Sequence, residues 1–146
     1  MAIQNGSNLI LKVQQANGAA DEFKLMHSQN CSISINADTI DISNKDSAGF
    51  RDLIGGQKSF SLSADGLMDF NPSSPTTITE VDELFTQMMA RTSVTFTFTL
   101  ASTSTGDYTY TGNGFITSLE ISGGTEDAPT YSITIEGNST LTQNTI

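Results

Sequence analysis

Few side chains in this 146-residue sequence are suited to acid–base or nucleophilic chemistry. His27 is the only histidine and Cys31 the only cysteine. A Ser–His–Asp site would have to use His27 as its base, and no G-x-S-x-G run is present to position a serine nucleophile. His27 is therefore read as a polar loop residue. Cys31 opens a strand pattern with no basic residue nearby in sequence to activate it, so it reads as a small core or boundary residue. Asp38 with Asp41, and Glu126 with Asp127, have the spacing of paired acids for hydrolysis or calcium ligation. Acidic pairs at this density are expected at a net charge of -10, and no run matches the twelve-residue calcium loop. Gly123-Gly124-Thr125 lacks the lysine and helix of a phosphate loop. The Asn138-Ser139-Thr140 sequon matters only on a secretory route, for which nothing argues. No residue is assigned a catalytic, cofactor-binding or metal-binding role, and an enzyme is the least favoured class.

The balance of 6 basic against 16 acidic residues disfavours nucleic-acid or anionic-membrane binding through the whole surface. The opening MAIQNGSN lacks the basic and apolar regions of a secretory signal, and no apolar run is long enough to cross a bilayer. The expectation is a soluble chain kept in the cytosol. A single cysteine cannot form an intrachain disulfide, so packing or partners must supply stability. Abundant Ser and Thr with Phe and Tyr favour strands over helices.

The apolar residues that would position any site alternate with polar ones. Leu9, Leu11 and Val13 give a first strand, QANGAAD (residues 15–21) a turn, and residues 23–26 a short second strand. Ile33 and Ile35, then Ile40 and Ile42, mark a third run, broken at Asn36-Ala37-Asp38 by either a bulge or a turn. Phe60, Leu62 and Ala64 mark a strand from Gln57 to about Met68, which Pro72 and Pro75 end. Thr77 and Glu80 have capping-box spacing. Ile78, Val81, Leu84, Phe85, Met88 and Met89 then recur on one face of a helix from about Ile78 to Arg91. Val94, Phe96, Phe98 and Leu100 form a hairpin with Tyr108 and Tyr110 through ASTSTGD. Gly112-Asn113-Gly114 interrupts the next run, and Tyr131, Ile133 and Ile135 mark the last clear strand. The chain reads as one domain, 1–146, mainly β: an antiparallel β-sandwich or barrel with one flanking α-helix. Residues 43–57 read as a long loop and 137–146 as a polar, mobile tail.

The long loop holds the sharpest local signal. The run Asn44, Lys45, Asp46, Ser47, Gly49, Phe50, Arg51, Asp52, Leu53 and Gly55, between serine-rich strands, resembles the major tail tube proteins of long-tailed bacteriophages. The opening MAIQNGSNLILKV resembles their amino terminus. Phe50 stands where members often carry Trp, and Asp52 where they often carry Glu. Similarity of motifs covers roughly the first half of the chain; beyond Gly66 only the order of elements agrees.

The resemblance implies a tail-tube-like fold and a structural role without cofactors. Family members form homohexameric rings whose strands pair across subunits into an inner barrel, and the rings stack into a hollow tube that conducts DNA during ejection. It implies tape measure and tail terminator proteins as partners, no membrane, and a place in the virion tail after assembly in the host cytoplasm. Phe50, Leu53 and Ile54 are costly to leave in water, at about 1.5–3 kcal/mol for each large side chain. With Asn44, Lys45, Asp46 and Arg51 they form the candidate ring-stacking, inter-subunit loop. Asp41, Glu120 and Glu136, opposite the apolar faces of their strands, are candidate lumen acids. Two other classes stay open: a tube subunit of a contractile tail or injection apparatus, and a monomeric β-sandwich binding module. The second has little stacking surface, because Trp is absent and Tyr108 and Tyr110 are the only clustered tyrosines.

Overall fold

The described residues form eight strands and one helix, the helix between the fifth and sixth strands; the fifth, Ile78–Thr79, falls where helical spacing predicts the first turn of the helix. The computed structural model describes residues 3, 5–14, 22–25, 27–69, 78–101 and 104–146. In chain order these hold β1 (Leu9–Gln14), β2 (Glu22–Leu25), β3 (Ser28–Asp41), β4 (Leu53–Leu67), β5 (Ile78–Thr79), α1 (Val81–Ala90), β6 (Val94–Leu100), β7 (Tyr108–Ser122) and β8 (Thr130–Thr145). The strands make one sheet in the order β3-β4-β8-β7-β6-β1-β2-β5. Every pair is antiparallel except β2 with β5. Four strands separate β3 from β1 in this order, yet Cys31 Sγ on β3 reaches the Leu9 carbonyl on β1 at 3.5 Å. The sheet therefore coils over onto itself, as expected of a strongly twisted sheet with one apolar face.

Its concave face carries the core: Leu11, Val13, Leu62, Val94, Phe96, Ile133 and Ile135, with the Phe60 and Phe96 rings 5.8 Å apart and tilted at 59°. Apart from Ile10 beside Leu11, the residues between them on the opposite face are polar, mostly Ser and Thr, which is why the period-2 pattern of the sequence located these strands.

Elsewhere the backbone departs from the pattern. Leu53, Ile54 and Gln57 lie in β4, so the loop predicted at 43–57 shortens to residues 42–52. The break at Asn36-Ala37-Asp38 is a bulge inside the continuous β3, where the register with β4 shifts between Ala37 and Thr39. β7 likewise runs straight through Gly112-Asn113-Gly114 and absorbs them as a second irregularity. The tail expected to be mobile from 137 is the second half of β8, paired with β7 as far as Thr145 with Tyr108. Polar on both faces, that segment has no apolar period to betray it; its backbone pairing makes it a strand. The QANGAAD turn, Met26, Pro72, Pro75, Thr77 and part of ASTSTGD lie outside the described residues.

The helix starts later than its spacing predicts. Glu80, not Thr77, is its N-cap, in a capping box with Glu83 whose carboxylate accepts from the Glu80 N–H at 3.2 Å. It ends on Arg91 in the left-handed region. Val81, Leu84 and Gln87 are its buried residues. Gln87 Nε2 donates to the Gln14 carbonyl at 2.6 Å, and Thr79 Oγ1 to that of Val13 at 2.8 Å, which staples the helix and its lead-in to β1. Phe85 and Met89, expected on the packed face, are 53% and 61% exposed. The contact face is the narrower stripe 81, 84, 87, and Phe85 and Met89 lie beside it.

Candidate inter-subunit surfaces

β3 and β4 pair along their whole length, but β4 meets β8 only from Ser61 with Glu136 to Leu67 with Thr130. At the last paired row the Phe60 ring packs over Gly137, where a Cβ would sit 2.5 Å from it, and beyond this contact the two strands no longer pair. Beyond that fork the β3–β4 hairpin projects as a two-stranded arm, and the outer half of β8 is flanked by β7 alone. Among the described residues, the outer edges of β3, of β4 over Leu53 to Phe60 and of β8 beyond Gly137 therefore carry backbone N–H and C=O groups with no neighbouring strand within the sheet. Such edges are completed by another chain or must be protected.

The arm ends in an ordered tip. Asn44 Oδ1 accepts from the Asp46 N–H at 2.8 Å and Ser47 Oγ from the Asn44 N–H at 3.1 Å, a capping box around the 3₁₀ turn Lys45–Ser47. Ala48 and Gly49 then take left-handed φ values of 52° and 81°, a reversal that glycine makes without strain. Ser43 Oγ accepts from the Asp52 N–H at 2.7 Å, and the Ile42 N–H donates to the Asp52 carbonyl at 2.9 Å, closing the base of the tip. Asp41 Oδ1 accepts from the Ser43 N–H at 2.9 Å and Arg51 lies 3.4 Å from the same carboxylate. The Ser43 hydrogen bonds first, then Arg51, hold the Asp41 carboxyl below its ordinary range. On this frame Phe50 is 79% exposed, with Leu53 and Ile54 exposed below it. Asn44, Lys45, Asp46, Phe50 and Arg51 thus share the tip; Leu53 and Ile54 belong to the strand that supports it.

Cross-strand register decides which carboxylates share a face. Asp65, Ser132 and Glu120 pair in one row across β4, β8 and β7; Ser63 and Thr134 lie in another; Ser61, Glu136 and Phe115 lie in a third. All three rows project opposite Ala64, Leu62 and the core. Glu120 and Glu136 are therefore together on one Ser- and Thr-rich face, joined by Asp65, which the sequence reading missed although it sits between core residues Ala64 and Gly66. Asn30 Nδ2 donates to Asp65 Oδ2 at 3.2 Å. Asp41 stands apart, beyond the β3 bulge in the arm.

The residues weighed for chemistry do not converge. His27, at a φ of 42°, is exposed in the turn between β2 and β3. Cys31 is half-buried, and burial, then the charge of Asp65, pushes its thiol up rather than toward a reactive thiolate. No group of three His, Cys, Asp or Glu side chains among the described residues is placed to hold a metal ion.

The fold is similar to that of proteins solved in phage and gene transfer agent tails. The chain overlays, at a TM-score of 0.76 and 22% identity, a protein in the tail of an empty gene transfer agent particle refined with C6 symmetry, over 97% of this chain and 99% of that one. It overlays the SPP1 tail tube at 0.72 and 14% identity, over 97% and 79%, and a chain of the anti-feeding prophage baseplate at 0.63 and 8%, over 99% and 96%. The sequence model of the phage tail tube protein family matches residues 3–143, and the chain belongs to that family. Comparison with curated proteins finds no match.

Proposed function

We propose that this chain, acting as a single tail tube domain over residues 1–146, closes into hexameric rings that stack into a hollow tube and conduct DNA out of the virion. The observation that carries this reading is the arm. An ordered tip that holds Phe50 79% exposed is a contact surface awaiting a neighbour, since burying such a side chain is worth about 1.5–3 kcal/mol. Ring closure uses the unpaired strand edges, a head-to-tail contact that closes after a fixed number of copies. Stacking uses Asn44, Lys45, Asp46, Phe50, Arg51, Leu53 and Ile54. Glu120 and Glu136 face the lumen and repel phosphates. Asp41 lies in the arm and belongs with the stacking contact. Tape measure and tail terminator proteins meet the tube inside and at its end, in the virion tail, after assembly in the host cytoplasm. The role is architectural and needs no catalysis. The family match favours a phage tail over an injection apparatus or a monomeric binding module.

Negative-stain electron microscopy of the purified protein across a concentration series tests the reading. Rings or tubes with a central channel are expected; a monodisperse monomer at every concentration would count against it. Phe50→Asp should give a folded protomer that forms no tubes.

A further inference from the structure

The exposed helix face borders a groove of about 340 Å3 whose lining includes Met68, Asp69, Glu80, Asp82, Phe85 and Ile121. Its floor is apolar, with Phe85 53% and Ile121 46% exposed, and its rim is acidic. Glu80 Oε1 is shielded from solvent there and has no hydrogen-bond partner among the described residues. Burial first, then the charges of Asp82, Glu83 and Asp69, pushes the Glu80 carboxyl above its ordinary range. An apolar floor with crowded, partly desolvated carboxylates at its edge favours a ligand that brings an aromatic ring and a cation together.

The chain itself supplies one. Lys45, Arg51 and Lys58, three of its six basic residues, lie on the arm. Asp41 engages Arg51, which leaves Lys45 beside Phe50 at the tip without an ion pair among the described residues. Within one protomer the two surfaces are far apart: β3 runs from the groove end to the tip and β4 returns. At about 3.3 Å per residue their 14 and 15 residues separate the ends by roughly 45–50 Å. A tip at one end and a groove at the other meet between copies arranged head to tail, and because the two surfaces lie at opposite ends the contact adds copies along that axis.

We propose that the groove between α1 and the end of β7 receives the Phe50 tip of a second copy of this chain, with Lys45 of the incoming tip set against Glu80 and Asp82. This rests on the tube-subunit reading and names what the stacking tip binds. Phe50 enters the space beside Phe85 and Ile121, where aromatic pairing adds to burial. Lys45 meets the carboxylates in a partly desolvated setting, where a charge pair is stronger than on open surface.

The test compares Phe50→Asp, Phe85→Asp and a mixture of their preassembled rings by negative-stain microscopy and sedimentation, with circular dichroism melts to establish that both variants fold. Each variant alone is expected to lose stacking and remain as single rings. The mixture is expected to give stacks of two and no longer, because an intact tip on Phe85→Asp rings meets an intact groove on Phe50→Asp rings once only. Normal tubes from Phe85→Asp would overturn the receiving surface and leave the tube reading standing. Normal tubes from Phe50→Asp would remove the stacking role of the tip and this inference with it. Single rings in the mixture would overturn the pairing of these two surfaces.

Discussion

Glu80 combines two roles that pull against each other. Its side chain caps the first turn of α1, while burial and three neighbouring acids raise its proton affinity in the folded state. A carboxyl whose folded value is raised binds protons more tightly folded than unfolded, so stability falls as pH rises from the ordinary value of 4.5 through the raised one. Glu83 is shifted the same way by burial. Glu80→Gln keeps an oxygen that can accept from the Glu83 N–H and discards the charge. Its melting midpoint should exceed that of the unmodified protein at pH 7, by roughly 2–4 °C for each kcal/mol recovered, and the gap should narrow as the pH falls toward 4. Melts in a pH series measure this; a constant gap would mean the charge is not the cause. The sequence marks Glu80 only as a capping residue beside Asp82 and Glu83; its burial and the approach of Asp69 follow from the fold.

At the scale of elements, helix α1 separates burial from mere apolarity. Leu84 is fully buried, whereas Phe85, next to it in sequence, is half exposed. Leu84→Ala should cost about 2–5 kcal/mol of stability and Phe85→Ala little, which denaturant titration of the two variants compares. Helical spacing placed Val81 and Leu84 correctly and put Phe85 and Met89 on the same face. Periodicity records which residues are apolar, and a surface kept for another chain is as apolar as a core. Residues 60 to 64, 94 to 98 and 131 to 135 are legible for the opposite reason: each run has one covered and one open face, so chemistry alternates with geometry, whereas Ile35 on β3 keeps the alternation and is 57% exposed. The outer half of β8 was illegible because its strand character rests on backbone pairing to β7, which no side-chain pattern reports. The tip was legible as a unit from its turn residues and from family resemblance, but Leu53 and Ile54 were assigned to the loop because the strand that holds them begins in the arm, away from the core.

For the whole molecule, charge is the main variable. The chain carries a net charge of -10, and Glu120, Glu136 and Asp65 lie in neighbouring rows of one face. On the proposed reading this face lines the channel, where repulsion between carboxylates and phosphates would keep DNA moving. Replacing Glu120 and Glu136 by lysine should leave tube formation intact and slow genome release, most at low salt, where screening is weakest. Ejection kinetics followed by fluorescence of a DNA-binding dye would report it. Unchanged release would place these residues on the outside.

Placing the arm tip and the α1 groove at opposite ends makes each protomer a vector. A filament built from vectors has polarity: one terminus ends in bare tips, the other in bare grooves. On the proposed stacking, growth at the two termini proceeds through different encounters, and whatever caps them has to fill an acidic groove at one end and cover an aromatic knob at the other.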